Sequence, residues 1–173
     1  MTRIGSTDQI LRVNHAGERG AISIYKGQIL ISRLLHPSCV EPLESILSHE
    51  QRHFRTFDSI LKSRGLRACH ALVLWAAGGW ILGIVTALAG QRAIWVCTAA
   101  IENTVNQHLA EQVAFIGPRD PEVLAAVQSI RADEEAHEDH ALTHGGVGTG
   151  LYLVLRSIIV GATSFAIWLS TKL

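Results

Sequence analysis

The sequence has only three cysteines, Cys39, Cys69 and Cys97, far apart and without a C-x-x-C pair. That usage gives no disulfide framework and no thiolate metal pattern, and it fits a reducing compartment with ordinary buried thiols. Neither charge is in excess, since 15 Lys and Arg balance 15 Asp and Glu. No basic face therefore argues for nucleic acid as a partner. A G-x-G-x-x-G strand-to-helix fingerprint is missing, which removes the usual dinucleotide-binding unit. No stretch alternates apolar and polar residues over a useful strand length, so the expected class is all-α. Secretory and Arg-rich transit signals are likewise not visible, because helical patterning begins almost at once.

Apolar residues are abundant: they make up 48% of the chain, and the mean hydropathy is positive. At 173 residues one domain over 1–173 with a sizeable core is expected. Punctuation residues divide it into six helices. Ser6-Thr7-Asp8-Gln9 resembles a capping box opening a first helix that runs to about Leu35. Pro37 breaks it, and Ser38 with Glu41 offers a second box for a helix to Arg64, stopped by Gly65. A very apolar third helix covers about 71–89, and a fourth runs from about Gln91 to Ile116 before Gly117-Pro118. Asp120 caps the fifth, with Pro121 in its first turn, and Gly145-Gly146 ends it. The sixth runs from about Leu151 almost to the end.

One pattern occurs twice. Adding 84 to 18, 50 and 53 reaches 102, 134 and 137, and the same residue type stands at each. Each half thus has a Glu (Glu18, Glu102) and then a Glu-x-x-His (Glu50 with His53, Glu134 with His137). Positions three apart share a helix face, so each Glu-x-x-His reaches one site. All six residues lie on apolar stripes. Glu18 accompanies Leu11, Ile22 and Tyr25; Glu50 and His53 sit among Leu43, Ile46, Leu47, Phe54, Phe57, Ile60 and Leu61. Glu102 joins Thr98, Val105 and Leu109, and Glu134 with His137 continues Val123, Val127, Ile130 and Ala141. Four buried carboxylates are costly if unpaired, whereas two divalent cations balance them. A lone Glu from two helices and Glu-x-x-His from two others is the ligand set of ferritin-like di-iron and di-manganese bundles, and mixed oxygen and imidazole donors suit Fe(II). A solvated surface Glu or His is the bland reading of each residue alone; the repeated geometry favours metal. A ferroxidase or peroxide reductase would use the same six ligands.

The 84-residue offset also carries the third helix onto the last, so the expected architecture is a ferritin-like four-helix bundle with a dinuclear metal site plus two hydrophobic helices, in two three-helix units. Those two helices, about 71–89 and 151–170, suit membrane association. The third contains no charge, and about 19 residues give roughly 28 Å of helix, near the thickness of a bilayer core. Trp75 and Trp80 favour an interfacial position over a span.

Arg12-Val13-Asn14-His15-Ala16-Gly17-Glu18, with Ile24-Tyr25-Lys26-Gly27-Gln28, resembles the opening motif of the 5-demethoxyubiquinone hydroxylases of ubiquinone synthesis. The likeness continues through Glu50-x-x-His53, Ala100-Ile101-Glu102 with His108, Asp133-Glu134-Glu135-Ala136-His137 and Leu155-Arg156-Ser157-Ile158-Ile159, nearly the whole chain. The resemblance implies hydroxylation of a polyprenyl quinone ring by a di-iron centre and O2, with two Fe ions on the six ligands and Glu50 and Glu134 bridging. Electrons would come from a reductase, NADH or reduced quinone. Tyr25 and His108 are candidates to orient ligands or the quinone ring. Some members carry a Tyr just after the position of His108, where this chain has Leu109. The unseen signal peptide and the reduced cysteines lead to the expectation of a peripheral site on the cytoplasmic face of a bacterial inner membrane, or the matrix face of the mitochondrial one. The resemblance also suggests a lipid-binding accessory partner, with other ubiquinone-synthesis enzymes and a homo-oligomer as further candidates.

Overall fold

Six α-helices make up the computed structural model, which describes residues 5–173: α1 (Thr7–Leu35), α2 (Val40–Ser63), α3 (Leu72–Leu88), α4 (Gln91–Ile116), α5 (Pro121–Thr143) and α6 (Leu151–Ser170). Short 3-10 turns at Pro37–Cys39 and Gly117–Arg119 precede α2 and α5, and no strand occurs among the described residues. Local chemistry explains most boundaries. Ser6 Oγ accepts the Gln9 N–H at 3.1 Å and opens α1. The return arm lands one residue early, where Gln9 Oε1 accepts from Gly5 N at 2.7 Å. The second capping box does not form. Pro37 starts a 3-10 turn, in which Cys39 N–H donates to His36 O at 2.9 Å, and the turn runs straight into α2. Ser38 lies inside that turn, so Cys39 holds the cap position without a side-chain bond. Gly65, at φ 64°, turns the chain off α2 in the left-handed region that favours glycine.

Asp120 does more than cap α5. Its Oδ1 accepts from Val123 N at 3.2 Å, and its two oxygens take Arg64 NH1 and NH2 at 2.6 and 2.9 Å. Arg64 thereby ties the end of α2 to the start of α5. Its guanidinium holds the Asp120 carboxyl down at about 2 against an ordinary 3.8. A depressed carboxylate contributes stability that is present above its unfolded pKa and lost as pH falls through the folded one. Thermal melts are therefore expected to weaken from about pH 4 down to about pH 2 in the wild type, and to show less of that slope in Asp120→Ala. At pH 7 the variant should lose roughly 1–3 kcal/mol, a cap plus part-exposed charged hydrogen bonds. A variant melting like the wild type at both pH values would remove this tie from the account.

The bundle helices are α1, α2, α4 and α5. One apolar cluster joins Leu11, Phe57, Leu61, Leu109, Ile116, Val123, Val127 and Ile130. A second joins Tyr25, Ile29, Leu43, Ile46, Ile94, Trp95, Ala99 and Ala141. Since α1 runs from the first cluster to the second and α2 returns, the two are antiparallel, as are α4 and α5. Each unit repeats one plan: α1 packs on α2 and α3, while α4 packs on α5 and α6. Every ligand candidate falls between the two clusters in its helix, so two apolar plugs enclose a polar middle layer.

The α1–α3 contact is the closest between helices among the described residues. A Cβ on Gly83 would stand 2.1 Å from Ile24 O, and one on Gly79 2.5 Å from Gly20 O. Two backbones can approach this closely only where side chains are missing. By contrast α6 buries only Ile159 and Ser170.

Candidate metal centre

Helical period and the two plugs turn six side chains inward at one level. Glu18, Glu50, His53, Glu102, Glu134 and His137 are all buried. Their donor atoms fall into two groups, each within 4.8 Å: Glu18, Glu50, His53 and Glu134 in one, Glu50, Glu102, Glu134 and His137 in the other. Glu50 and Glu134 belong to both groups, so each could serve two cations.

The ring nitrogens are oriented in the same sense in both halves. His53 Nδ1 lies 3.1 Å from Glu134 Oε1 and 3.8 Å from Glu18 Oε2. His137 Nδ1 lies 3.2 Å from Glu134 Oε2 and 3.4 Å from Glu50 Oε1. On the outer side, His53 Nε2 meets Asp133 Oδ2 at 3.0 Å, with Arg52 NH2 also at 3.3 Å from that oxygen. His137 Nε2 meets His49 Nδ1 at 3.0 Å. Asp133, named in the sequence only as part of the second motif, thus meets His53, and sequence reasoning overlooked His49. One signal existed: His49 precedes Asp133 by the same 84-residue offset that relates the ligands. Asp139 is exposed.

The electrostatics of this layer favour cations. Burial, followed by repulsion from neighbouring carboxylates, raises Glu18 and Glu102 well above the usual carboxylate range. Burial and the charge of Glu134 also raise Glu50. For Glu134 burial pulls the same way, but close polar contacts with His137, His53 and Glu102 outweigh it and hold the carboxyl low. Glu50 Oε1 and His53 Nδ1 are buried without an aligned hydrogen-bond partner. An orphaned buried polar atom costs about 1–3 kcal/mol. Divalent cations would satisfy these buried oxygen and nitrogen atoms, and this donor set fits iron.

Tyr25 and His108 occupy different surroundings. The Tyr25 hydroxyl donates to Glu102 Oε1 from a fully buried position. Burial and the nearby Glu102 charge raise its pKa well above 10.0, so the phenol keeps its proton. His108 lies farther along α4, on the wall of a cavity of about 440 Å³. Burial lowers its pKa, which favours the neutral ring. Glu18, Glu50, Glu102 and Glu134 contribute to the same cavity, as do Asn14, Ile24 and Leu109. Its other walls come from α3, with Trp75, Ile81, Leu82 and Val85, and from α6, with Ala162, Ala166 and Ile167. Ile81 and Val85 are 64% and 54% exposed, so the cavity reaches from the carboxylate layer to the outer apolar surface.

Comparison with known proteins places these features in a family context. The family model described as ubiquinone biosynthesis protein COQ7 matches residues 5–170. A Rhodospirillum rubrum protein named 3-demethoxyubiquinol 3-hydroxylase is 33% identical over 165 residues, covering 95% of this chain and 77% of its own. The human protein named NADPH-dependent 3-demethoxyubiquinone 3-hydroxylase, mitochondrial, is 33% identical over 173 residues, covering 97% and 78%. The yeast 5-demethoxyubiquinone hydroxylase, mitochondrial, is 29% identical over 181 residues, covering 96% and 78%.

Proposed function

This chain belongs to the family of the ubiquinone biosynthesis protein COQ7, and from that premise we propose that it hydroxylates the ring of a polyprenylated demethoxyubiquinone, as quinone or quinol, with O2. The supporting observation is the cavity of about 440 Å³, apolar along α3 and α6 and bounded inside by four carboxylates. A long isoprenoid tail needs such an apolar passage, and a ring needs to end beside the redox centre.

Glu18, Glu50, His53 and Glu134 would hold one iron ion, and Glu50, Glu102, Glu134 and His137 the other. Iron held there would supply the one-electron chemistry that makes O2 reactive toward an aromatic ring. In the net reaction one oxygen atom converts a ring C–H to C–OH. The other leaves as water, with two protons and two electrons taken from a reduced nicotinamide or the quinol itself. The chain's own residues position and exclude. Apolar walls keep bulk water from the ring, the Tyr25 phenol fixes one oxygen of Glu102, and His108 offers a hydrogen-bonding group along the path of the ring.

The outer faces of α3 and α6 support a peripheral position on a membrane surface, and the reaction would then take place on the leaflet facing the cytoplasm or the mitochondrial matrix. Val73, Ile81, Leu151, Ile158, Phe165 and Trp168 are exposed there. The 20 residues of α6 are long and apolar enough to cross a bilayer, while α3 is shorter. A paired apolar face lying in the interface fits both helices. Ile158→Asp with Phe165→Asp should weaken binding to phosphatidylcholine–phosphatidylglycerol vesicles roughly a hundred- to ten-thousandfold, from two apolar side chains at about 1.5–3 kcal/mol each. Unchanged flotation with vesicles would place the membrane face elsewhere.

The deciding experiment for the reaction is anaerobic loading with Fe(II), followed by O2 and a short-tailed demethoxyubiquinol, read by mass spectrometry. A ring product heavier by one oxygen is expected. Iron oxidised while the quinol stays intact would overturn the hydroxylase reading.

A further inference from the structure

We propose that His49 is a positioning residue that makes the two halves of the centre unequal, leaving the half containing His137 as the weaker cation site; this rests on the di-metal reading above. Both ligand imidazoles turn Nδ1 toward the carboxylates and Nε2 outward. A neutral imidazole has one bare nitrogen and one N–H. For Nδ1 to offer its lone pair inward, the proton must sit on Nε2, and each Nε2–H then needs an outer acceptor.

The two acceptors differ. His53 Nε2–H donates to the Asp133 carboxylate at 3.0 Å. With the proton on His137 Nε2, its acceptor is His49 Nδ1, also at 3.0 Å, which accepts only while that nitrogen is bare and which lies 3.9 Å from Asp133 Oδ1. His49 and Asp133 stand at equivalent positions, each directly before the Glu of its own Glu-x-x-His. Each braces the histidine of the opposite half, so α2 and α5 are cross-linked through both outer partners. An anionic acceptor draws the proton and strengthens the inward lone pair more than a neutral ring does. The His53 half is thus the stronger donor set. His49 fixes the tautomer of His137 without adding charge.

The test is an anaerobic titration of the metal-free full chain in detergent with Co(II), followed by visible absorption and calorimetry. Wild type is expected to bind two Co(II) in separated steps. His49→Leu should weaken the second step roughly ten- to hundredfold, the usual effect of losing an outer-shell partner, and leave the first nearly unchanged. His49→Asn should restore the second step, because its Oδ1 can accept where Nδ1 did. His49→Asp should tighten that step toward the first, and Asp133→Leu should instead weaken the first. A general packing role for His49 would lower both steps together and would not be rescued by Asn. Either that pattern or unchanged steps in His49→Leu overturns the inference while the di-metal reading stands. Fewer than two Co(II) in wild type overturns both.

Discussion

Glu50→Ala is expected to abolish the paired metal centre and, with it, hydroxylation. Glu50 belongs to both donor groups, so its loss should exceed the roughly ten- to hundredfold effect of removing an outer-shell partner. Stability should move in a different direction. In the metal-free protein Glu50 is 1% exposed and its Oε1 lacks an aligned hydrogen bond, with His137 Nδ1 at 3.4 Å. Removing that group relieves about 1–3 kcal/mol, against which the truncated side chain leaves a small void. The metal-free variant should therefore melt within a few degrees of wild type. On adding cation at about a hundred times its dissociation constant, wild type should gain roughly 2.7 kcal/mol, or about 5–10 °C, and the variant little. Parallel melts and quinol assays with and without Fe(II) check both halves. A variant that still binds two irons and hydroxylates would remove Glu50 from the centre. One that fails to fold without metal would make it a structural residue.

Gly83→Ala is expected to be the most damaging single methyl in the chain. The added carbon would meet Ile24 O at 2.1 Å, and the obstacle is backbone, which cannot rotate away. The helices must separate, at about 3 kcal/mol for overpacking, only partly offset by the better helix propensity of alanine, about 1 kcal/mol. A fall of roughly 4–8 °C in Tm follows for a chain of this size. Because α3 walls the cavity, the same displacement should raise KM for the quinol more than it alters Co(II) affinity. Gly161→Ala on α6 is the matched control. Nothing lies within 4 Å of its Cβ position, so it should be neutral or slightly stabilising. Gly83→Ala melting with the control would contradict the close approach.

The two glycines illustrate the limit of reading along one chain. A glycine in an apolar helix is the same letter whether it faces a neighbouring backbone, as Gly83 does, or open space, as Gly161 does. Periodicity says which face is apolar but not how near another helix comes. Ser38 is a second case. Its spacing from Glu41 matches a capping box, yet the φ set by Pro37 starts a 3-10 turn first, and local backbone geometry prevails over the motif.

Much of the rest was determined by the sequence alone. Helix boundaries follow from Pro, Gly, Ser6 and Asp120, because capping and left-handed turns are short-range interactions complete within a few residues. The inward set of Glu18, Glu50, His53, Glu102, Glu134 and His137 follows from a 3.6-residue period applied to a pattern that occurs twice. Only the tertiary structure decided which nitrogen of each imidazole faces the carboxylates, that Asp133 meets His53 and His49 meets His137, and that α3 and α6 wall one cavity leading to that layer. Those contacts join residues some 80 or more positions apart. Their partners are set by how helices pack, and packing depends on shapes that no single helix carries in its own spacing.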